Sequence, residues 1–333
     1  MLTYVRKIAI VVRNLYLRLS GTGVSQLRIE VQRAILNPYV NYKIDKYKSN
    51  NTGEYSNQPK TSAIVQFFNK RRMARPVINS LRQSEFDEII IIDDGSVDGS
   101  GKDWRNILTK PNEFVIFSND LYEVRTYQRA LQMTNAEYVC LLQDDDIPPS
   151  NSEWVSDAIE LFDDFQDLVI LGGRTATSPR IPDNPYKTKD TSYQVDGEIA
   201  GKPGVNKYKR ILEPKHRHKD IDFMFVPVIN RAPMWVRRDT FLDMGGIDQA
   251  FAPYQCDDVD SCLKAWNKGH KVGLYNPNFK RIVEGGMSAY NPMSERGEII
   301  ENSWGIIYKR YGDDIFEGKY DTMYKKANEC LRI

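Results

Sequence analysis

The sequence predicts an α/β fold in which a mostly parallel, Rossmann-like β-sheet is covered by helices on both faces. Apolar runs at residues 62–68, 88–92 and 136–142 are separated by segments with a helical pattern. Strands of a parallel sheet are buried on both faces, so their sequences are apolar throughout rather than alternating. Two of these runs end in aspartate clusters, at the sheet edge where folds of this class bind ligands.

The individual elements follow from apolar runs bounded by turn residues and from apolar positions repeated every three or four residues. Pro76 is tolerated in the first turn of a helix, and Gly245-Gly246 and Gly269 follow two predicted helices, where glycine commonly ends them. Further strands are predicted at residues 113–117, 168–171, 223–228, 234–236 and 271–275. Helices are predicted at residues 76–84, 124–133, 154–165, 238–244, 258–267 and 298–311.

The composition is that of a globular protein. Of 333 residues, 41% are hydrophobic and 27% are charged, and the formal net charge of +1 argues against a nucleic-acid-binding protein. The four cysteines include no Cys-x-x-Cys pair, so neither a disulfide scaffold nor a zinc ribbon is indicated. No apolar run approaches the ~20 residues that a membrane-spanning helix needs.

The first 50 residues differ in charge from the rest of the chain. They hold nine Lys and Arg residues but only Glu30 and Asp45 as acids, whereas the remainder is net acidic. Apolar residues recur every three or four positions over residues 1–19, which predicts a basic amphipathic helix. This helix either packs on the body of the protein or contacts an anionic membrane surface. We expect a cytoplasmic protein, peripheral on a membrane in the second case.

Three parts are predicted along the chain. Residues 1–58 form the basic helical extension and a polar linker, residues 59–290 the α/β domain, and residues 291–333 a C-terminal helical segment. Residues 174–222 contain several prolines and little periodicity, which predicts a long surface excursion. Loops of this length are uncommon unless they are functional or mobile.

Two predicted strands end in acidic clusters, Asp93-Asp94 after residues 88–92 and Asp144-Asp145-Asp146 after residues 136–142. Carboxylates gathered at one sheet edge repel one another unless a cation joins them. Oxygen ligands suit Mg²⁺ or Mn²⁺, and such an ion commonly neutralises a diphosphate leaving group. The alternative is that both clusters are turns, for which Asp, Gly and Pro are favoured. Their occurrence on successive strand ends favours the functional interpretation.

A third cluster, Asp257-Asp258 with Asp260, enters the helix predicted at residues 258–267. Acidic residues stabilise a helix N-terminus electrostatically, so a capping role is one interpretation. The functional interpretation is a general base at the rim of the pocket.

Taken together, these motifs resemble those of family-2 glycosyltransferases with the GT-A fold. The resemblance covers about residues 60–290, and its motifs lie at residues 63–69, 91–98, 119–130, 142–146, 236–238, 245–248 and 257–260. Each motif alone is modest, and their order and spacing make the set specific. The resemblance implies an inverting transferase that uses a nucleotide-sugar donor, of the UDP type, and an acceptor hydroxyl on a glycan or another molecule.

The resemblance also implies roles for single residues. Asp258 corresponds to the catalytic base, with Asp257 beside it where the family more often has Glu. Residues 59–146 correspond to the donor-binding half and residues 147–290 to the acceptor half. Donor-binding positions are Gln66, Phe68, Asn69, Asp93, Asp94, Arg125, Asp144 and Asp145, and metal-binding positions are Asp146, Asp144 and Glu284.

Among these, Asp94 resembles the carboxylate that reads a uracil-type base, and the Asp144–Asp146 run resembles the Asp-x-Asp signature. Gln66 stands where the family usually has Pro, and Ser261 where it usually has Leu. Glu284 stands where the family often has His, which leaves the third metal ligand open.

Two side chains carry alternatives. Arg125 is expected to contact phosphate or to pair with an acid such as Asp93, because Arg suits both partners. Trp235 is expected either to stack on a sugar ring or to pack in the core. Two other functions use similar residues: a metal-dependent nucleotidyltransferase, for which a glycine-rich triphosphate loop is missing after the first strand, and a non-catalytic nucleotide-sugar-binding scaffold.

Overall fold

The computed structural model describes residues 58–119, 121–173, 175–177, 179, 210–211, 216–231, 233–281 and 293–331. All of them belong to one structural unit, Tyr55–Ile333. The helix predicted at residues 1–19, the polar linker up to residue 57 and most of the excursion at residues 174–222 lie outside the described residues. No helix within the described ranges is long and apolar enough to cross a membrane.

A nine-stranded sheet forms the centre of the described residues, in the order β3-β2-β1-β4-β12-β6-β13-β10-β9. Strands β12 and β10 run against the others, so the sheet is mostly parallel, as the sequence predicts. Its strands are β1 (Thr61–Phe67), β2 (Glu88–Asp93), β3 (Glu113–Phe117), β4 (Tyr138–Gln143), β6 (Leu168–Gly172), β9 (Arg217–His218), β10 (Ile221–Phe225), β12 (Met234–Arg237) and β13 (Lys271–Tyr275).

Short strands form two smaller sheets. One joins β7 (Ala176–Thr177), β8 (Arg210–Ile211) and β11 (Val228–Ile229), and the other pairs β5 (Asp146–Ile147) with β14 (Lys280–Arg281). The strand predicted over residues 223–228 is therefore wrong in its end, because β10 stops at Phe225 and the chain enters a separate strand after Pro227. A proline cannot donate a ladder hydrogen bond, which accounts for the break.

Helices cover the sheet and place their apolar stripes on it. They are α1 (Ala74–Gln83), α2 (Ser100–Ile107), α3 (Tyr122–Met133), α4 (Glu153–Asp164), α5 (Arg238–Asp243), α6 (Asp257–Asn267), α7 (Met293–Phe316) and α8 (Lys319–Ala327). Every residue of β1 is buried, as expected for a central parallel strand covered on both faces. Gly269 adopts φ +81° directly after α6 and its C-cap, which agrees with the predicted glycine stop.

The sequence pattern missed two helices. Helix α2 is mostly polar and buries Ser100, Trp104 and Ile107, which leaves too few apolar positions for a periodic signal. Helix α8 likewise buries only Tyr320 and Tyr324. The terminal helix predicted at residues 298–311 extends over Met293–Phe316.

The C-terminal segment is joined to the sheet and to α6 by buried polar contacts. The side chain of Asn328 accepts a hydrogen bond from the Phe225 backbone N–H at 2.7 Å and donates one to the Phe225 carbonyl at 2.8 Å. Asp260, on the first turn of α6, is fully buried and accepts hydrogen bonds from Arg310 and Tyr311, both at 2.8 Å. These contacts fix the helix whose first residues are predicted to be catalytic.

Candidate active site

Strands β2, β1 and β4 are adjacent and parallel, so their carboxyl ends meet at one edge of the sheet. In the register of the sheet, Gln66 lies opposite both Ile92 and Gln143, and Phe67 lies opposite Asp93. The predicted donor-binding residues of three separate motifs therefore follow neighbouring strand ends. This is the edge at which open α/β sheets bind ligands.

Asp94 is buried and holds the start of helix α3. Its carboxylate accepts hydrogen bonds from Ser118 Oγ at 2.7 Å, from Leu121 N at 3.1 Å and from Tyr122 N at 2.8 Å. A carboxylate can accept about four hydrogen bonds, so capacity for one further donor is left. Asp93, its neighbour, accepts a hydrogen bond from Ser96 N at 2.8 Å and is also buried.

The loops after β1 and β2 are tied to each other. Asn69 donates its backbone N–H to Ser96 Oγ at 2.9 Å and accepts a hydrogen bond from Val97 N at 2.8 Å through its side chain. Asn69 has φ +53° and Gly95 has φ +88°, and a Cβ at Gly95 would lie 2.5 Å from Asn119 Oδ1. Glycine is required at this turn, because it has no Cβ to clash and no penalty at positive φ.

Asp144 is held by two donors from the end of strand β1. Its Oδ2 accepts a hydrogen bond from Phe68 N at 3.0 Å, and its Oδ1 lies 2.8 Å from Lys70 Nζ. The same ammonium lies 3.8 Å from Asp145 Oδ2. Burial raises the pKa of Asp144 to about 6, and the nearby charge of Lys70 offsets part of that rise.

The described residues include two of the three predicted metal ligands, Asp144 and Asp146. Each carboxylate oxygen of Asp144 has one partner in the protein, Phe68 N or Lys70 Nζ, so a lone pair remains on each and the predicted metal role of Asp144 stays a prediction. Asp145 and Asp146 are buried, and Glu284 lies outside the described residues. Within the described part of the chain, no group of three or more His, Cys, Asp and Glu side chains is placed to hold a metal ion.

Asp257 and Asp258 begin helix α6 after a strained turn. Gln255 and Cys256 have φ +85° and +63°, a conformation that residues other than glycine adopt only at a cost. Asp257 is buried and forms an ion pair with Arg231 Nη2. Asp258 is partly exposed, and its carboxylate accepts a hydrogen bond from Val259 N at 2.9 Å and a longer one from Arg231 N at 3.4 Å.

The two aspartates therefore differ electrostatically. Burial raises the pKa of Asp258 to about 6, the negative charge of Asp257 adds to the rise, and Arg231 opposes it. A base whose pKa lies a little below neutrality is mostly ionised at pH 7 and still accepts a proton readily. Asp257, by contrast, has its charge matched by a buried guanidinium.

Sequence reasoning missed three charged residues of this site: Lys70, Glu123 and Arg231. Glu123 lies on the first turn of α3, and burial raises its pKa to about 7, with further contributions from the charges of Asp257, Asp144 and Asp258 that Arg231 partly offsets. Arg231 also stacks over the Tyr127 ring, 4.6 Å from its centroid. Lys70 belongs to a basic stretch directly after the first strand, at residues 69–72, but its sequence does not reveal that it contacts Asp144, and nothing near Arg231 in the sequence marks it.

The structure bears on the alternative roles predicted for Arg125 and Trp235. Arg125 is exposed on α3 and, within the described residues, forms no ion pair with Asp93, so its contact with phosphate or with another acid stays a prediction. Trp235 is fully buried and donates a hydrogen bond to the Tyr275 hydroxyl at 3.0 Å. Its core interpretation is confirmed, and a buried indole cannot stack on a sugar.

A family model matches the part of the chain that carries most of these motifs. The glycosyl transferase family 2 model matches residues 62–226. No curated protein sequence matches the chain significantly. Among solved structures, S. aureus TarS 1–349 in complex with UDP-GlcNAc is 17% identical, with a TM-score of 0.45, and the match covers 72% of this chain and 64% of that one.

The structure of S. aureus TarS 1–349 alone gives 17% identity and a TM-score of 0.41 over 65% of this chain and 57% of that one. That of S. aureus TarS gives 16% identity and a TM-score of 0.42 over 67% and 37%. The chain thus spans less than two thirds of the length of each of these proteins.

Proposed function

We propose that the chain, whose residues 62–226 match the glycosyl transferase family 2 model, is a glycosyltransferase that transfers a sugar from a UDP-type donor to an acceptor hydroxyl with inversion. One observation carries the proposal. The negative charges of Asp144, directly after β4, and of Asp258, at the start of α6, both raise the pKa of Glu123. This shared neighbour supports the proposal that the predicted donor edge and the predicted base border one site.

In the proposed reaction, Asp258 removes the proton from the acceptor hydroxyl. The acceptor oxygen then forms a bond to the anomeric carbon from the face opposite the diphosphate. The bond between that carbon and the diphosphate oxygen breaks, and the nucleoside diphosphate leaves with the electron pair. One displacement by one nucleophile inverts the anomeric configuration. A positioned base of this kind contributes roughly a hundred- to ten-thousand-fold in rate.

Residues 59–146 are proposed to bind the donor and residues 147–290 the acceptor. Gln66 lies near the end of β1, and Phe68 and Asn69 follow that strand. Their position next to the end of β2 supports the proposal that they form the wall of the nucleotide pocket. The one acceptor position left on the Asp94 carboxylate supports the proposal that it receives the imide N–H of the base.

A Mg²⁺ or Mn²⁺ ion on the diphosphate stays a prediction, and its predicted ligands are Asp146, Asp144 and Glu284. When bound, such an ion would neutralise charge on the leaving group. In the proposal, residues of this chain bind the nucleotide, position the acceptor and accept its proton.

Donor hydrolysis and sugar transfer test the proposal directly. Purified protein should release UDP from at least one UDP-sugar, and Asp258→Asn should remove that release while binding of the nucleotide-sugar persists within a few-fold. A thermal-shift panel of nucleotide-sugars identifies the donor first, because a ligand that binds the native state raises the melting temperature. Turnover of a free nucleoside triphosphate instead would indicate a nucleotidyltransferase, and binding without any turnover would indicate a scaffold.

A peripheral membrane contact through residues 1–19 is proposed for a cytoplasmic protein, on the basis of the amphipathic basic pattern alone. Deleting residues 1–50 should leave donor hydrolysis nearly unchanged, because the predicted chemical residues all lie after Pro59. The same deletion should abolish binding to anionic vesicles. Full-length protein that does not bind such vesicles would favour a helix that packs on the body.

A further inference from the structure

Lys70 is a buried lysine at the edge of the sheet where the donor is proposed to bind. It follows β1 by three residues, and its side chain is 3% exposed. A buried ammonium needs compensating charge, since desolvation of an unpaired ion costs several kcal/mol. Here the carboxylates of Asp144 at 2.8 Å and Asp145 at 3.8 Å provide it.

The ammonium group has unused hydrogen-bonding capacity. A lysine carries three N–H donors. Within the described residues Lys70 makes one side-chain hydrogen bond, to Asp144, because 3.8 Å to Asp145 is too long for a second. Two N–H groups are therefore available to an oxygen that enters the site.

The charges around Lys70 indicate that this oxygen belongs to a phosphate group. Lys70 contacts both carboxylates of the Asp144-Asp145 pair, and those carboxylates would repel an approaching diphosphate. An ammonium held between them weakens that repulsion and can donate directly to a phosphate oxygen. Lysine is a common phosphate-binding residue that acts as a point charge.

We propose that Lys70 binds the diphosphate of the nucleotide donor, so that the donor site contains a cation belonging to the protein itself. The ion pair with Asp144 holds the Lys70 ammonium at the edge of the sheet before the donor arrives. This inference rests on the proposed function, because it takes the diphosphate from the donor assigned there. It predicts that a nucleoside diphosphate binds even when divalent ions are removed.

The test compares the binding of UDP, uridine and inorganic pyrophosphate by calorimetry in excess chelator. Lys70→Met should weaken UDP and pyrophosphate binding by about tenfold or more, the range expected for a lost hydrogen bond to a charged group. Uridine, which has no phosphate, should bind within about twofold of wild type. Lys70→Arg should keep part of the UDP affinity. Arg75→Met is the matched control, because Arg75 is an exposed basic residue on the nearby helix α1.

A double variant separates phosphate binding from a purely structural role. Lys70→Met alone leaves Asp144 buried without its counter-ion and could destabilise the loop. Lys70→Met/Asp144→Asn removes both charges, and asparagine can still accept the hydrogen bond from Phe68 N. If Lys70 only compensates Asp144, the double variant should recover the UDP affinity of Asp144→Asn. If Lys70 binds the diphosphate, the double variant should stay about tenfold weaker than Asp144→Asn.

Three results would overturn the inference: equal losses for UDP and uridine, recovery in the double variant, or wild-type protein that binds UDP with Mn²⁺ but not in chelator. Each of them leaves the transferase proposal in place. Wild-type protein that binds no nucleoside diphosphate under either condition would overturn both.

Discussion

The guanidinium of Arg231 and the carboxylate of Asp257 form a buried ion pair at the start of the helix that carries the proposed base. Because the Asp257 carboxylate is paired with Arg231, we propose that Asp258 is the aspartate that takes the proton. The same arginine donates its backbone N–H toward Asp258 at 3.4 Å, so one residue orients both carboxylates. This asymmetry makes the two aspartates separable by mutation.

We expect Asp258→Asn to lower the transfer rate by roughly a hundred- to ten-thousand-fold, because asparagine cannot accept the proton. Donor affinity should stay within a few-fold of wild type, since the side chain keeps its size. Transfer kinetics together with calorimetry of donor binding measure both quantities. An Asp258→Asn enzyme with near-normal transfer would move the base elsewhere in the site.

Asp257→Asn should act mainly on stability. It leaves the buried Arg231 without its charged partner, and breaking a buried ion pair from one side costs about 3–5 kcal/mol. Urea denaturation measures the loss, and Asp257→Asn/Arg231→Met should recover part of it. An Asp257→Asn protein that is stable but has lost sugar transfer would indicate that Asp257, and not Asp258, is the base.

The transfer rate should rise with pH through about 6, the pKa of Asp258, because the base must be ionised to act. The negative charge of Asp257 helps to raise that pKa. Asp257→Asn should therefore shift the acid limb of the profile to lower pH in whatever active fraction remains. A pH–rate profile from pH 5 to 9 checks this. An acid limb that stays at the same pH in Asp257→Asn would mean that a group other than Asp258 sets it.

Glu123→Gln should stabilise the protein at alkaline pH. The pKa of Glu123 is raised from 4.5 to about 7, so the folded state holds the proton more tightly than the unfolded state. The stability that this provides is present below pH 4.5 and is lost as the pH rises through about 7. The difference in melting temperature between Glu123→Gln and wild type should therefore change in favour of the variant as the pH rises from 4.5 to 8. A constant difference across that range would contradict the raised pKa.

Chelation tests the predicted metal. Excess chelator should abolish sugar transfer, and Mn²⁺ or Mg²⁺ should restore it, if oxygen ligands such as Asp146 hold an ion on the diphosphate. Asp146→Asn should then weaken metal-supported donor binding and leave metal-free UDP binding unchanged. Full turnover in chelator would end the metal role.

Much of the fold could be predicted because its strands are apolar runs between turn residues. The predicted bounds of residues 113–117 and 271–275 coincide with β3 and β13. The meeting of the Asp93-Asp94 and Asp144–Asp146 clusters at one edge follows from the direction of parallel strands, so it too could be predicted.

The charged partners of those clusters could not be predicted, since they come from distant parts of the chain. Lys70 meets Asp144 across 74 positions, and Arg231 meets Asp257 across 26. Hydrophobic periodicity indicates which face of an element is buried, but it does not indicate which ions pair across the finished fold.

The contact between Asn328 and Phe225 has a consequence for the order of assembly during translation. The backbone N–H and carbonyl of Phe225 are satisfied by a side chain 103 positions later. Until the ribosome has released residue 328, this stretch of β10 lacks the cover that the asparagine gives it, and unpaired strand edges invite association with other chains. Helix α6, with the proposed base, is synthesised before that point. We therefore expect the nascent chain to complete its proposed catalytic residues first and to protect this edge last.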